Sequence, residues 1–252
     1  MCLLVFAYRV HRGYRLVLAG NRDEFYRRAS APCAFWDDYP EVLAGRDLEK
    51  GGSWMGVTRA GRLATLTNFR DPAERDPLAP SRGLLVSGFL TSEEAPQGYL
   101  ARLAKECQRY NDFNLFLGDG DSLWYFSSRN RQLSKLGPGI YGVSNHLLDT
   151  PWPKVVRAKR RLASLAADDA GLEPEALFAL LADREPAPDS ELPDTGIDLQ
   201  RERDLSPVFV STPNYGTRAS TLIIADQWGQ IDFMERSFDP SGHAMETRRY
   251  VL

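Results

Sequence analysis

The sequence predicts an α+β protein: a four-layer αββα sandwich of two antiparallel sheets with helices packed outside. Three observations carry that expectation. Elements follow one another as strands, helices, strands, helices and strands, with hairpins dominating and no βαβ repeat. The opening strand is apolar on both faces, with Leu3, Val5 and Ala7 on one and Leu4, Phe6 and Tyr8 on the other. Such a strand belongs to a sheet covered on both sides. No Pro/Gly linker divides the 252 residues, so 1–252 is read as a single domain.

Taken in order, residues 2–10 and 14–20 are apolar runs joined by Val10-His-Arg-Gly13, a β-hairpin pattern. The segment 25–50 carries Arg, Asp, Pro and five aromatic residues, and reads as an ordered loop. A second hairpin is expected over 51–58 and 61–68, turning at Arg59-Ala60-Gly61. Residues 70–80, with three prolines, form a surface loop. Helices are expected over 81–91 and 96–110, the latter placing Tyr99, Leu100, Leu103, Ala104 and Cys107 at helical spacing, which makes Cys107 a core thiol.

Strands return at 113–118, 122–127 and 139–145. Pro151–Ala167 is an amphipathic helix with Pro at its start, Val155, Leu162 and Leu165 inside, and Lys and Arg outside. A short helix follows at 173–183, then an acidic, Pro-rich mobile loop over 184–204. Strands near 207–212, 219–225 and 230–236 precede a terminal tail.

Composition narrows the functional classes. A formal net charge of −3 supplies no basic field for nucleic acid or an anionic membrane surface. Cys2, Cys33 and Cys107 are odd in number and widely spaced, which argues against a disulfide framework or a structural zinc site and fits a reducing compartment. No apolar run approaches the roughly 20 residues of a membrane span, and the N-terminal stretch ends at Arg9 without a charged leader. The expected location is the cytoplasm.

The candidate chemistry starts at Cys2. Once Met1 is removed, Cys2 carries a thiol and a free α-amine on one residue, a nucleophile beside a base that titrates near pKa ~8. The second strand ends in Asn21-Arg22-Asp23-Glu24, and antiparallel pairing brings that end beside Cys2. A guanidinium there lowers a thiol pKa, and a carboxylate holds an α-ammonium. Asn68, Asn145 and Arg218 stand at the ends of other apolar strands, where Asn amides suit an oxyanion and Arg suits a charged group.

The motifs Met1-Cys-Leu-Leu4, Asn21-Arg-Asp-Glu-Phe25, Gly52-Ser-Trp-Met-Gly56, Thr65-Leu-Thr-Asn68, Tyr141-Gly-Val-Ser-Asn145, Thr150-Pro-Trp-Pro-Lys154, Tyr215-Gly-Thr-Arg218 and Phe233-Met-Glu-Arg236 run through the whole chain. Together they resemble the NRDE family, also called the transport and Golgi organisation family. The resemblance implies a fold similar to the N-terminal nucleophile (Ntn) hydrolases. Within that class the nearest chemistry looks like the bile-salt hydrolases and penicillin V acylases, in which an N-terminal Cys attacks an amide carbonyl.

Carried over by matching motif, the implied catalytic set is Cys2, Arg22, Asp23, Asn68, Asn145 and Arg218. Cys2 would be nucleophile and base, Asp23 would orient the α-amine, and Arg22 or Arg218 would lower the thiol pKa. Asn145 and the Asn68 region would form the oxyanion hole. The substrate would be a small amide or acyl thioester, with no metal or organic cofactor.

One departure stands out: the acylases separate their Arg and Asp by two residues, whereas Arg22 and Asp23 are adjacent. Adjacent strand residues point to opposite faces, so both reach Cys2 only if the chain leaves the strand there. Otherwise Asn21 and Asp23 face one way, and Arg22 and Glu24 the other. The family also implies a second possibility, a non-enzymatic carrier of a hydrophobic anion such as acyl-coenzyme A or haem. Of His11, His146 and His243, only His146 adjoins the proposed site, and Trp36, Trp54 and Trp152 either line a ligand pocket or fill the core.

Overall fold

The computed structural model describes residues 2–167 and 172–252. Two antiparallel sheets organise the chain, each in its own compact unit: residues 1–27 with 138–252, and residues 28–137.

The first unit holds a six-stranded sheet. Its strands are β1 (Cys2–Tyr8) and β2 (Tyr14–Phe25), then, after the second unit's elements, β10 (Gly139–Val143), β11 (Tyr215–Asp226), β12 (Ile231–Phe238) and β13 (Ala244–Val251). Their order across the sheet is β10-β1-β2-β11-β12-β13, every neighbour antiparallel. Two helices, α3 (Pro153–Ala166) and α4 (Pro174–Leu181), cover one face. Each has Pro in its first turn, where the missing N–H costs nothing. Leu3, Val5, Ala7, Val17 and Ala19 of the sheet meet Val155, Leu162, Leu177 and Leu181 in that core. On the opposite face Leu4, Phe6 and Leu18 are equally buried, as the two-sided apolar pattern requires.

The second unit holds a seven-stranded sheet in simple chain order. It runs β3 (Ser30–Phe35), β4 (Val42–Asp47), β5 (Met55–Thr58), β6 (Leu63–Asn68), β7 (Phe113–Gly118), β8 (Leu123–Ser127) and β9 (Gln132–Lys135). Gly61, at φ 78°, turns the β5–β6 hairpin in a conformation other residues rarely adopt. The helices α1 (Gly83–Leu90) and α2 (Pro96–Leu103) pack on one face through Leu85, Val86, Phe89, Leu100 and Leu103. The Trp54 indole packs closely against Gly45 of β4, which has no side chain: a Cβ there would sit 2.2 Å from the ring.

Several expectations need correction. Residues 25–50 are not a loop: they contain β3 and β4. The helix over 96–110 stops at Leu103, with a separate 3₁₀ turn at Cys107–Arg109, although Cys107 is buried as expected. Residues 207–212 are not a strand; only Ser211 makes an isolated bridge, to Gly216. The stretch 184–204 includes α5 (Leu199–Asp204), N-capped by Asp198, and the terminal tail is β13. The helix expected over Pro151–Ala167 is α3, and residues 168–171, between it and the helix expected over 173–183, lie outside the described residues. Among the described residues, no helix is long and apolar enough to cross a membrane.

Candidate functional site

The site grows from the start of β1. Cys2 pairs with Arg22 in the β1–β2 ladder, and Leu3 pairs with Asn21. Arg22 in turn pairs with Ala219 of β11. On the other side of β1, Leu4 pairs with Val143, the last residue of β10. Asn145 follows two residues after Val143, just as Cys2 precedes Leu4 by two. Asn145 therefore leaves the sheet at the level of Cys2. It is fully buried, and its Oδ1 accepts from Ser144 Oγ at 3.2 Å.

The turn that carries Asn145 is folded back by Asp149. The Asp149 carboxylate accepts from the Gly142 amide at 2.8 Å, its own amide donates to the Gly142 carbonyl at 2.8 Å, and Lys159 pairs with it at 2.6 Å. His146 belongs to the same turn, with Nδ1 2.8 Å from Thr150 Oγ1 and its ring beside Trp152. Trp36 and Trp152 are both buried in the hydrophobic cores.

The question raised by adjacent Arg22 and Asp23 has a direct answer. The second strand does not end at residue 20; β2 runs through to Phe25 and keeps its alternation. Asn21 lies on the helix-covered face, where its amide donates to the carbonyls of Leu181 and Val208, each at 2.9 Å, and accepts from Ser220 Oγ at 2.6 Å. Those three bonds explain a structural role: Asn21 ties the sheet to the segments above it.

Asp23 shares that side of the strand. Its Oδ1 accepts from Thr217 Oγ1 at 2.7 Å, and Thr217 Oγ1 also accepts the Val210 amide at 2.9 Å. Tyr215 donates its hydroxyl to the Asp23 carbonyl at 2.8 Å. Arg22, by alternation, belongs to the opposite face, and it is 6% exposed. Burial raises the Asp23 carboxyl above its ordinary value, opposed by the amino-terminal charge, by Lys154 and by the Thr217 hydroxyl.

Arg218 is the extra residue at a bulge in β11, between the pairs Thr217–Asp23 and Ala219–Arg22. It donates through Nη1 to the carbonyls of Phe25 and Tyr26, both at 3.1 Å, and so fastens the end of β2. Asn68 closes β6 in the second unit, half-buried and opposite Phe113 in the ladder.

Two contributors escaped the sequence reading. Thr217 orients Asp23 from within the Tyr215-Gly-Thr-Arg218 motif. Lys154, expected outside with the other basic residues of its helix, is 2% exposed, and its Nζ donates to the Leu205 carbonyl at 2.9 Å. A signal existed: Lys154, Ala158 and Leu162 form one stripe at four-residue spacing, all buried. Among the described residues, no cluster of His, Cys, Asp or Glu is set to hold a metal.

The sequence profile described as Transport and Golgi organisation 2 matches residues 1–240. The chain belongs to that family. It is 37% identical to the transport and Golgi organization protein 2 homolog of Bos taurus, covering 100% of this chain and 99% of the relative. The Homo sapiens homolog is also 37% identical, over 99% of this chain and 98% of its own length. Among solved structures, the C2A mutant of the conjugated bile acid hydrolase from Clostridium perfringens superposes with a TM-score of 0.53 at 9% identity, covering 99% of this chain and 96% of that one. That likeness establishes the fold class: α+β, with two antiparallel sheets, of the Ntn-hydrolase type.

Proposed function

We propose that this Transport and Golgi organisation 2 family member is a cysteine hydrolase of the N-terminal-nucleophile type. It acts on a small amide or acyl thioester, with Cys2 as nucleophile after Met1 is removed. The observation that carries the reading is the row across the sheet: Cys2 opposite buried Arg22, with Asn145 leaving β10 at the same level. The bile acid hydrolase of the same fold was solved as its C2A mutant, and this chain also has Cys at position 2. A thiol nucleophile suits a reducing compartment such as the cytoplasm.

In this reading the α-amine of Cys2 takes the thiol proton and the thiolate attacks the carbonyl carbon. The carbonyl electron pair moves onto oxygen, and the Asn145 amide donates to that oxyanion. Collapse breaks the C–N or C–S bond, and the leaving amine or thiolate takes the proton from the α-ammonium. Water then gives its proton to the same amine as it attacks the acyl-Cys2 thioester. The carboxylic acid leaves, and the proton returns to the Cys2 sulfur. Arg22 favours the thiolate, and Asp23 holds the α-ammonium. None of these steps calls for a metal or organic cofactor.

Intact-mass measurement tests the first requirement: the mature chain must lack Met1. A panel of amides, thioesters and acyl-coenzyme A is then offered to wild type and Cys2→Ala. Turnover by wild type that disappears in Cys2→Ala is expected. Retained Met1 overturns the mechanism. Equal thiol labelling of Cys2, Cys33 and Cys107 without turnover replaces the hydrolase with a carrier of a hydrophobic anion such as acyl-coenzyme A or haem.

A further inference from the structure

Lys154 is an ammonium in an unfavourable place. It lies in the first turn of α3, where the helix dipole presents its positive end, and it is 2% exposed. Burying a charge is costly unless an opposite charge or several hydrogen bonds compensate it. The Lys154 Nζ donates to the Leu205 carbonyl at 2.9 Å.

Leu205 opens a short segment that also meets β2 and β11. Three residues on, the Val208 carbonyl accepts from Asn21; two further, the Val210 amide donates to Thr217, whose hydroxyl donates to Asp23. One stretch of backbone, 205–210, thus gathers the buried cation of α3 and the buried carboxylate of β2. Asp23 is itself 2% exposed.

We infer that Lys154 is a positioning residue, the buried counter-charge that keeps Asp23 in its carboxylate form. The inference rests on the hydrolase reading for its consequence, since only a carboxylate can hold the α-ammonium of Cys2. Other groups bear on Asp23 as well. Glu24 beside it on β2 repels its negative charge, the amino-terminal charge stabilises it, and from β11 Thr217 donates to it while Tyr215 binds its backbone carbonyl. Arg22 belongs to the other face of the strand. The field of Lys154 lowers the Asp23 carboxyl pKa, against the larger effect of burial.

The decisive comparison is Lys154→Gln against Lys154→Arg in the full chain. Gln keeps a donor for the Leu205 carbonyl but removes the charge; Arg keeps the charge. A ¹³C-NMR titration of the Asp23 carboxyl reads the effect directly, and it needs no substrate. The carboxyl of Lys154→Gln is expected to titrate about one pH unit or more above wild type, with Lys154→Arg close to wild type. The acid limb of Cys2 alkylation by a thiol electrophile should rise with it. In an Asp23→Asn background, Lys154→Gln should move that limb no further.

Identical Asp23 titration in wild type and Lys154→Gln would overturn the inference, leaving Lys154 a hydrogen-bond donor to Leu205 alone. A raised Asp23 titration with an unmoved alkylation profile supports the counter-charge and instead overturns the link from Asp23 to the α-amine. Thermal unfolding of each variant confirms that the comparison is made on folded protein.

Discussion

Cys2 and Arg22 are direct partners in the ladder between the first two strands, and Arg22 is almost wholly withdrawn from water. Under the hydrolase reading, a guanidinium withdrawn from water at that register would stabilise a Cys2 thiolate more strongly than an exposed one. Replacing Arg22 with Gln is expected to slow alkylation of Cys2 at pH 7 by about 3- to 10-fold. Arg22→Lys should retain most of the rate. The buried Cys33 and Cys107 serve as internal references in the same mass spectrum.

Asp23 makes a signed prediction for stability. Burial raises its folded-state pKa above the ordinary carboxylate value of 3.8, so the folded protein binds more protons than the unfolded chain in that window. The contribution of Asp23 to stability is therefore greatest at acid pH and is lost as pH climbs from about 4 through the raised value. Asp23→Asn, which cannot ionise, should gain on wild type over that climb. Melting temperatures of both proteins from pH 4 to 8 check the sign.

Under the hydrolase reading, Asn145 offers a way to separate nucleophile activation from oxyanion stabilisation. Asn145→Ala is expected to lower kcat for the panel's best substrate by about 10²- to 10³-fold, the usual loss for one such donor. Its rate of Cys2 alkylation should stay near wild type, because alkylation forms no oxyanion. Single-turnover kinetics and alkylation on the same preparation make the comparison.

Gly45 should tolerate no side chain. A Cβ would stand 2.2 and 2.3 Å from two carbons of the Trp54 ring. Gly45→Ala is expected to cost about 1–3 kcal/mol, the range for forcing an extra carbon into packed space. Thermal unfolding monitored by tryptophan fluorescence would register both the loss and the displaced indole.

Legibility in the sequence followed the physics of each element. The β1–β2 hairpin was readable because both faces are buried, leaving a long apolar run broken only by a Gly-containing turn. Strand β3 was hidden: it contains Pro32, shifts register between Ala31 and Ala34, and fully buries only Cys33. Strand β13 has no buried residue to mark it and is held by its ladder with β12 and by surface pairs such as Arg249 with Asp232. At the candidate site, antiparallel pairing alone predicted that Arg22 would come beside Cys2. The side taken by Asp23 required the register beyond residue 20, and the burial of Lys154 required the segment 205–210 that no local pattern reveals.

The first unit is assembled from two stretches of chain, residues 1–27 and 138–252, with the whole second unit between them. On a ribosome that order is a delay. The β1–β2 hairpin emerges first, yet its outer partners β10 and β11 are still unmade, and a lone hairpin is at best marginally stable. At a synthesis rate of about 5–20 residues per second, translation of 28–137 alone lasts roughly 5 to 20 seconds. For that interval β1 and β2 belong to an incomplete sheet, so under the hydrolase reading an enzyme that trims Met1 would act before β10 pairs with β1 and β11 with β2.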